Sequence, residues 1–470
     1  MNPIRLSLPL LTLWLLLALT GPVAADIETR GGTIWYVNHA ADGDDDGTSW
    51  EDAFNDLIFA LDAAESGDEI WVAAGTYSPA NANAEFGIWP PRFLLPAGVA
   101  LYGGFDGSED EREQRDWLAN PTILTGDIGG GDNTGTVVGV EKATAGTRVD
   151  GFTITDGDGG NGAGISLASG DGMVIENVDL IGNTSPDKGG AVFLNNASPI
   201  LRNVRVIDNQ AGFQGGGIFL QGSASQPTLI DVTFQGNSAP NNGGAIYSEG
   251  NGFTGINVRF LGNESSGGGA ITCNNCSIEI ANGLFVNNVG SFRGGALENI
   301  VGGEVTLTNV TAWGNEADGS GQASAIGGGA QTIINNSIFW GHGDNAIENF
   351  NNTVTASHSL FEGENPAGDG NLDGTDPDNT PLVVRLPDSD EDDFGNLRMV
   401  EGSPTIGQGS NDLLPADEFD IDGDGNTTEP LPLDLDGNSR VIGVAVDLGA
   451  FEYDELLDLI FRNRFQAGND

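Results

Sequence analysis

Positive charge is scarce in this 470-residue sequence. Lysine and arginine together number 17, against 68 aspartate and glutamate residues, and the formal net charge is −51. Proteins that bind nucleic acids or anionic membranes need clustered lysine and arginine to neutralise phosphate groups. The composition therefore argues strongly against both as partners. Because 38% of the residues are hydrophobic and 18% are charged, it also disfavours a disordered chain.

Cysteine is nearly absent, since Cys273 and Cys276 in the segment Cys-Asn-Asn-Cys are the only two. In an oxidising compartment such a pair is typical of a small disulfide that closes a turn. A redox motif or half of a zinc site is the alternative, although no second pair of cysteines or histidines lies nearby to complete a metal site.

Long apolar runs are confined to the N-terminus. Residues 1–25 have the pattern of a secretory signal peptide, in which Arg5 precedes an apolar stretch over Leu6–Leu19 and small residues occupy positions 23–25. The stretch is shorter than the ~20 residues that span a bilayer, and no later segment approaches that length. We expect an exported protein, secreted or on the outer cell surface, without a transmembrane span in its mature chain.

Glycine is abundant, at 73 residues, and much of it belongs to an internal repeat. Two columns of mostly asparagine residues, six positions apart, recur in steps of 25 to 28 residues. The first column is Asp150, Asn177, Asn203, Asp231, Asn257, Asn282, Asn309 and Asn336. The second column is Asp156, Asn183, Asn209, Asn237, Asn263, Asn288, Asn315 and His342. Gly-Gly-Ala-Ile or a close variant follows several copies.

Between the two columns the apolar residues alternate, as in Val178 and Leu180 or Val204 and Val206. This alternation is typical of strands with one buried face. Each repeat is too short to hold a helix beside two or three strands, so strands of successive repeats must stack, one coil on the next. The sequence therefore predicts an all-β fold, a parallel β-solenoid.

The asparagine columns admit two interpretations. In the first they are structural ladders, because a carboxamide carries donors and an acceptor and can satisfy both its own buried turn and the asparagine of the next coil. In the second they form a sugar-binding ladder on the surface.

We expect a cap before the solenoid and an acidic region after it. Residues Ser49–Glu65 have helical spacing, with Ser49 as the N-cap, and Glu69–Ala73 is typical of a strand. The predicted divisions are an N-terminal cap at 26–94, the solenoid at 95–365, an acidic region at 366–453 that completes or caps it, and a tail at 454–470.

The acidic region contains a candidate calcium loop. Its spacing, Asp-x-Asp-x-Asp-Gly, begins loops of the EF-hand type, and the candidate ligands are Asp420, Asp422, Asp424 and Asn426. The position of the closing glutamate is held by Leu431, and Glu429 lies two residues short of it. A solvated turn of aspartate and glycine is the alternative to a Ca²⁺ site.

Several segments resemble known families. Trp-Tyr-Val at 35–37 and Gly-Asp-Glu-Ile-Trp-Val-Ala-Ala-Gly-Thr-Tyr at 67–77 resemble the N-terminal part of bacterial right-handed parallel β-helix repeat proteins. The repeats, with Gly-Gly-Ala-Ile and Phe-x-x-Asn, are similar to those of polymorphic outer-membrane proteins. Residues 402–404 and 447–453 are similar to the choice-of-anchor Q ending. The resemblance implies a right-handed, pectin-lyase-like β-helix, a fold that hosts lyases, hydrolases and adhesins.

Enzymes of that fold provide the test for activity. A lyase needs an acidic cluster that holds Ca²⁺ and a nearby base, and the available bases, Arg202, Arg205 and Arg259, have only dispersed acids around them. Gly-His-Gly at 341–343 matches a polygalacturonase triplet, but the other elements are absent and His342 falls in the second asparagine column. We therefore predict no catalytic residues. The predicted role is adhesion, binding or structural, with extracellular glycans or a neighbouring cell surface as partners. The alternative is a Ca²⁺-dependent polysaccharide lyase or another glycan-active enzyme.

Overall fold

Stacked parallel strands form the framework of the molecule. The computed structural model describes residues 32–82, 86–87, 90–317, 325–342, 346–347, 354–388 and 393–455. The predicted signal peptide and the last fifteen residues of the chain, which include most of the predicted tail, lie outside this range. All described residues belong to one compact unit, Gly31–Asp470, and the predicted divisions within it stay predictions.

Three parallel sheets run along the solenoid, as far as the described residues show. The largest has nineteen strands: Ile34–Val37, Glu69–Ala73, Gly75–Tyr77, Ala100–Phe105, Thr122–Thr125, Arg148–Thr155, Gly170–Ile181, Ala197–Ile207, Thr228–Gln235, Gly252–Ile256, Arg259–Leu261, Cys276–Ala281, Leu284–Val286, Gly303–Thr308, Thr311–Trp313, Gln331–Asn335, Ile338–Trp340, Val354–Ser357 and Leu360–Phe361. The second has nine: Phe93–Leu94, Val138–Val140, Ile165–Leu167, Val192–Asn195, Ile218–Gln221, Ile246–Glu249, Ile271–Asn274, Leu297–Asn299 and Ile326–Gly328. The third has six: Thr184–Ser185, Gln210–Ala211, Ser238–Ala239, Glu264–Ser265, Val289–Gly290 and Glu316–Ala317. The predicted all-β parallel solenoid is therefore confirmed.

The remaining elements are short. Two antiparallel pairs join Asp127–Gly129 to Asp132–Asn133 and Val383–Arg385 to Asn396–Met399. Within the described ranges, the α-helix that the structure defines is Leu57–Ala63, and the 3₁₀ helices are Arg112–Gln114, Pro377–Asn379 and Asn411–Leu413. Among the described residues, no helix has the length and apolar character that crossing a bilayer requires.

The register between coils places like residues on top of each other. Val178 pairs with Val204, and Val204 with Val232, and all three are buried. Aromatic rings stack in the same way, with 5.0 Å between the ring centroids of Phe234 and Phe260. Burial of these apolar columns, at about 25 cal/mol per Å², is the main favourable term for the coil stack.

Glycine is required where neighbouring coils meet most closely. A Cβ built on Gly216 would lie 2.3 Å from the carbonyl oxygen of Gly244, one coil away. No side chain fits at that distance, so the Gly-Gly segments mark places where backbone contacts backbone.

The first copy of the repeat is shifted by one residue from the sequence alignment. Asp150 pairs with Glu176, so Gly151 lies opposite Asn177 in the first asparagine column. Gly151 also shares with Asn177 the left-handed backbone of this column, with φ of 86° and 52°. The predicted placement of Asp150 in the first column was wrong. An alignment by residue type favours aspartate over glycine at this position, but the position requires left-handed backbone, which glycine adopts readily.

The same shift applies to Asp156 in the second column. Thr155 pairs with Ile181, and the backbone N–H of Gly157 donates to Oδ1 of Asn183 at 3.0 Å. Gly157 is therefore the first member of the second column, and Asp156 belongs to the position before it.

The N-terminal helix is shorter than predicted. It begins after Asp56, whose side chain accepts from the N–H of Ile58, and spans Leu57–Ala63 in place of Ser49–Glu65. Ser49 accepts from the N–H of Asp52 at 3.0 Å, as a cap would. The chain then turns into extended backbone, because Phe54 forms a parallel bridge with the first strand. That pairing excludes helix from the segment.

The acidic region lies along one side of the solenoid. Phe451, Leu435 and Leu397 pack against Trp313 and Val286, and Leu448 packs against Ile338 and Leu360. Arg440 is fully buried and forms an ion pair with Glu452. The acidic region therefore forms small apolar clusters with the solenoid and packs on the coils from Ile256 to Leu360.

Candidate functional site

The second asparagine column is a buried ladder. Nδ2 of Asn209 donates to Oδ1 of Asn237 at 3.0 Å and to the carbonyl of Leu180 at 2.8 Å, and Oδ1 of Asn209 accepts from the N–H of Asn183 at 2.9 Å. The same pattern continues through the other members, which are all fully buried: Asn183, Asn237, Asn263, Asn288 and Asn315. These carboxamides bond to the coils themselves, so this column is structural.

His342 ends this ladder. Its Nδ1 lies 3.1 Å from the backbone nitrogen of Asn315, in the place of an asparagine oxygen. Burial lowers the pKa of His342 to about 4, so the ring is neutral at physiological pH. The polygalacturonase-like triplet is thus part of a turn, and its third residue lies outside the described residues.

The first asparagine column is divided into a covered part and an open part. From Asn257 to Asn336 the side chains are buried beneath the acidic region. Nδ2 of Asn282 donates to the carbonyl of Leu433 at 2.8 Å, and Nδ2 of Asn336 donates to that of Ser410 at 3.0 Å. The covered part of the column therefore already binds backbone carbonyls, those of the chain's own acidic region.

The open part faces solvent over three successive coils. We call it the open window and define it by Asn177, Asp179, Asn203, Arg205 and Asp231. Nδ2 of Asn203 donates to Oδ1 of Asn177 at 2.7 Å, so the ladder geometry persists here at the surface.

A groove of about 230 Å³ runs beside the open window. Its walls are formed by Trp117, Leu118, Pro121, Thr122, Gly151, Phe152, Thr153, Asn177, Asp179, Asn203 and Arg205. Leu118 is 82% exposed and Trp117 is half-buried. The groove thus combines apolar walls with polar side chains, as ligand sites commonly do.

Arg205 and Asp179 form an exposed ion pair in the open window. Nε of Arg205 donates to Oδ1 of Asp179 at 2.7 Å, and Nη2 contacts the other carboxylate oxygen. The hydrogen bond to Asp179 raises the pKa of Arg205, so the guanidinium holds its proton firmly. The pair presents both an acceptor and a donor edge to solvent with no net charge.

The candidate calcium loop lies in the acidic region. Two groups of carboxylates, Asp420 with Asp422 and Asp424, and Asp417 with Asp422 and Glu429, bring oxygens within 4.8 Å of one another. Burial, followed by repulsion from neighbouring acids, raises the pKa of Asp417 and of Glu429. Carboxylate oxygens that repel one another suit Ca²⁺, a cation with oxygen ligands.

The structure shows the contacts of one predicted ligand, Asn426, and adds one carboxylate to the loop, while the predicted ligand set stays a prediction. Asn426 donates from Nδ2 to Glu429 at 3.2 Å, and its Oδ1 accepts from the hydroxyl of Thr428 at 3.0 Å. The sequence did not single out Asp417, which precedes the motif, because only the fold of the loop brings its buried carboxylate towards Asp422.

Cys273 and Cys276 form a disulfide in the solenoid core, with Cα atoms 5.5 Å apart. The cysteines are 0% and 1% exposed. Between them Asn275 has a left-handed φ of 55°. The disulfide therefore closes the turn between a strand of the second sheet and one of the first.

Comparisons with known proteins agree on the architecture. A family model described as right-handed beta helix region matches residues 128–264. The solved structure of pectate lyase Pel9A is similar at a TM-score of 0.51 and 14% identity, over 90% of this chain and 96% of that one. No curated protein matches the sequence significantly.

Two further solved structures are similar at lower scores. An alginate lyase from Paenibacillus sp. strain FPU-7 has a TM-score of 0.38 at 16% identity, over 67% of this chain and 93% of that one. A rhamnogalacturonan lyase has a TM-score of 0.38 at 12% identity, over 76% and 91%. At 14% identity the likeness to pectate lyase Pel9A shows fold and not activity. The chain thus has a right-handed parallel β-helix fold, which it shares with that structure.

Proposed function

We propose that this chain is an exported β-helix protein that binds a glycan in the open window without transforming it. The observation that carries the proposal is the divided asparagine column. Its covered part donates hydrogen bonds to backbone carbonyls in separate loops of the acidic region, and its open part presents the same carboxamides to solvent beside a groove. An extended polymer rich in oxygen acceptors suits this arrangement.

The residues around the groove supply what glycan binding requires. Trp117 and Leu118 offer apolar surface to the C–H face of a sugar ring, since aromatic side chains provide large, rigid contact areas. Asn177, Asn203 and the Arg205–Asp179 pair offer donors and acceptors for hydroxyl groups. Polar groups placed beside apolar surface fix the orientation of a ligand.

The candidate bases support a binding role over catalysis. A proton acceptor works best with a pKa near the working pH, whereas its bond to Asp179 raises the pKa of Arg205. Burial lowers the pKa of Arg259. However, Arg259 lies beneath the acidic region, where its Nη2 donates to the carbonyl of Leu435 at 2.8 Å.

A Ca²⁺-dependent lyase is the second candidate, and one observation favours it. Arg202 points outward in the same column as Ile230 and, one coil further, Ile256. The candidate calcium loop packs on Ile256 through Phe419 and Ile421. A bound Ca²⁺ and an arginine would then share one face of the solenoid, as a lyase needs.

The proposal has two further parts. The protein is exported and located at the outer surface, and its finer likeness is to polymorphic outer-membrane repeats and to the choice-of-anchor Q ending. They rest on the sequence of residues 1–25, on the repeats and on residues 402–404 and 447–453. Partners would be extracellular glycans or the surface of a neighbouring cell.

The test is a polysaccharide panel with the mature chain, residues 26–470, in Ca²⁺ and again in chelator. Binding is measured by calorimetry, and turnover by unsaturated-uronate absorbance and new reducing ends. We expect binding without product, and at least about tenfold weaker binding for Trp117→Ala. Phe292→Ala is the matched control, because Phe292 is 68% exposed and lies outside the groove. Calcium-dependent product would overturn the binding role in favour of the lyase.

A further inference from the structure

On the basis of the proposed function, the geometry and charge of the open window limit the class and the length of its ligand. We infer that the open window takes a short, uncharged stretch of polysaccharide that lies along the solenoid axis, and that polyuronates are excluded. Three observations carry it: the open asparagine column ends at a buried ion pair on one side and at the acidic region on the other, its one defining cation, Arg205, is already paired, and the carboxylates that could bind a bridging metal lie outside it.

Arg115 lies at the first end of the open asparagine column. Its Nη2 lies 2.8 Å from Oδ1 of Asp150, and its Nη1 donates to the carbonyl of Gly103 at 3.0 Å. Its guanidinium also lies over the ring of Trp117, 5.3 Å from the centroid. Oδ1 of Asp150 accepts from Nδ2 of Asn177, so the asparagine column meets a buried ion pair at this end.

The acidic region closes the second end. Asn257 is buried, and Nη2 of Arg259 donates to the carbonyl of Leu435 at 2.8 Å. Beyond Arg259, the first asparagine column and the outward column that contains Asp179 and Arg205 both lie beneath the acidic region. Three coils are therefore open, and at about 4.8 Å per coil they expose roughly 15 Å of the axis. A pyranose unit is about as long as one coil spacing, so about three sugar units fill the window.

The charges of the window disfavour a uronate. The two groups of Arg205 that face Asp179, Nε and Nη2, are both bound to its carboxylate. A uronate carboxylate would have to displace Asp179 or lie beside it, close to the exposed Asp231 as well. Arg202, on the other side of the bend, lies in register with Glu176. The protein as a whole carries −51, which opposes the approach of a polyanion.

A metal could bridge a uronate to acidic side chains, but the converging carboxylates are elsewhere. In the part of the chain that the structure describes, the carboxylate groups that converge closely enough lie between Asp417 and Glu429. They pack on the coils of Ile256 and Ala281, beyond the second end of the window. Hydroxyl groups are therefore the ligand groups that the window's carboxamides and its ion pair match.

The experiment is calorimetry of the mature chain with neutral and uronic oligosaccharides. Neutral glucose-, mannose-, xylose- and N-acetylglucosamine-based series of two to six units are compared with oligogalacturonates and oligomannuronates, in Ca²⁺ and in chelator. We expect a neutral series to bind, with affinity that rises to about three or four units and then levels off. Uronates should bind at least about tenfold more weakly in both conditions.

Asp179→Asn provides a gain-of-function control. It frees the guanidinium of Arg205, so uronate affinity should rise several-fold, whereas Asp187→Asn, a change at an exposed site outside the groove, should leave it unchanged. Equal melting temperatures of wild type and Asp179→Asn would show that the variant is folded.

The outcomes separate the two claims. Uronates that bind wild type more tightly than neutral sugars, or affinity that keeps rising to six units, would overturn this inference. If Trp117→Ala also weakened that binding, the proposed function would stand. Absence of binding to every sugar, or binding that Trp117→Ala leaves unchanged, would overturn the proposed function itself.

Discussion

Asn336 and Ser410 exchange two hydrogen bonds across 74 positions of the chain. Nδ2 of Asn336 donates to the carbonyl of Ser410 at 3.0 Å, and the N–H of Ser410 donates to Oδ1 of Asn336 at 2.8 Å. The backbone carbonyl of Asn336 accepts from Gly449 as well, at 2.7 Å. A turn residue of the repeat thus serves as a docking group for the acidic region. The open window is what this docking leaves uncovered.

The buried ladder should be costly to interrupt. Asn237→Ala removes bonds to Val206 and Asn263 and leaves the N–H of Asn209 without its acceptor. Each unsatisfied buried group costs about 1–3 kcal/mol, so we expect a marked fall in the melting temperature, measured by calorimetry. Asn203→Gly, in the exposed column, keeps the left-handed backbone of that position and should change the melting temperature little. Equal losses in the two variants would contradict the assignment of separate roles to the columns.

The buried carboxyl group of Glu452, beside Arg440, should make stability depend on pH. Burial raises the pKa of Glu452 from 4.5 to about 8. Between pH 4.5 and about 8, the folded state holds a proton on Glu452 that the unfolded state releases. The contribution of Glu452 to stability is therefore fully present below pH 4.5 and is lost as the pH rises through 8. We expect the free energy of unfolding of wild type, relative to Glu452→Gln, to fall over this range in denaturant titrations. A difference that stays constant or rises with pH would contradict it.

Calcium should stabilise the acidic region. If the loop binds Ca²⁺, the melting temperature should rise with Ca²⁺ concentration, by an amount equivalent to about 2.7 kcal/mol at one hundred times the dissociation constant. Asp422→Asn should abolish the shift, because Asp422 belongs to both carboxylate groups. Asp44→Asn, in the acidic segment near the N-terminus, is the matched control and should keep it. A flat response, or one that Asp422→Asn leaves intact, would show a solvated turn.

The disulfide should be inert in the folded protein. Cys273 and Cys276 are buried, so a reductant reaches them only after the coil opens. We expect no thiol labelling in reductant alone and full labelling once denaturant is added. Removal of the pair by Cys273→Ala with Cys276→Ala should cost about 2 kcal/mol, as expected for a very short loop. Rapid labelling of the native protein would contradict the buried placement.

Much of the fold could be predicted from the sequence because the signal repeats. Val204 and Val206 alternate within one coil, and each has an equivalent in the next coil, which the register confirms. The helix over Ser49–Glu65 was overestimated because apolar spacing does not show that Phe54 pairs with a distant strand. The displacement at Asp150 has a similar origin, since backbone conformation and not residue type defines that column.

The sequence by itself determined the coil length, the inward faces of the strands and the columns of asparagine, because these depend on contacts that recur every 25 to 28 residues. Tertiary structure alone decided which asparagines are open to a ligand. Asn203 and Asn282 occupy equivalent positions in the repeat, yet Asn203 is exposed, whereas Asn282 is bound by Leu433 and Arg440. The difference arises from contacts about 150 residues apart in the chain, and no local pattern encodes a surface that a distant segment covers.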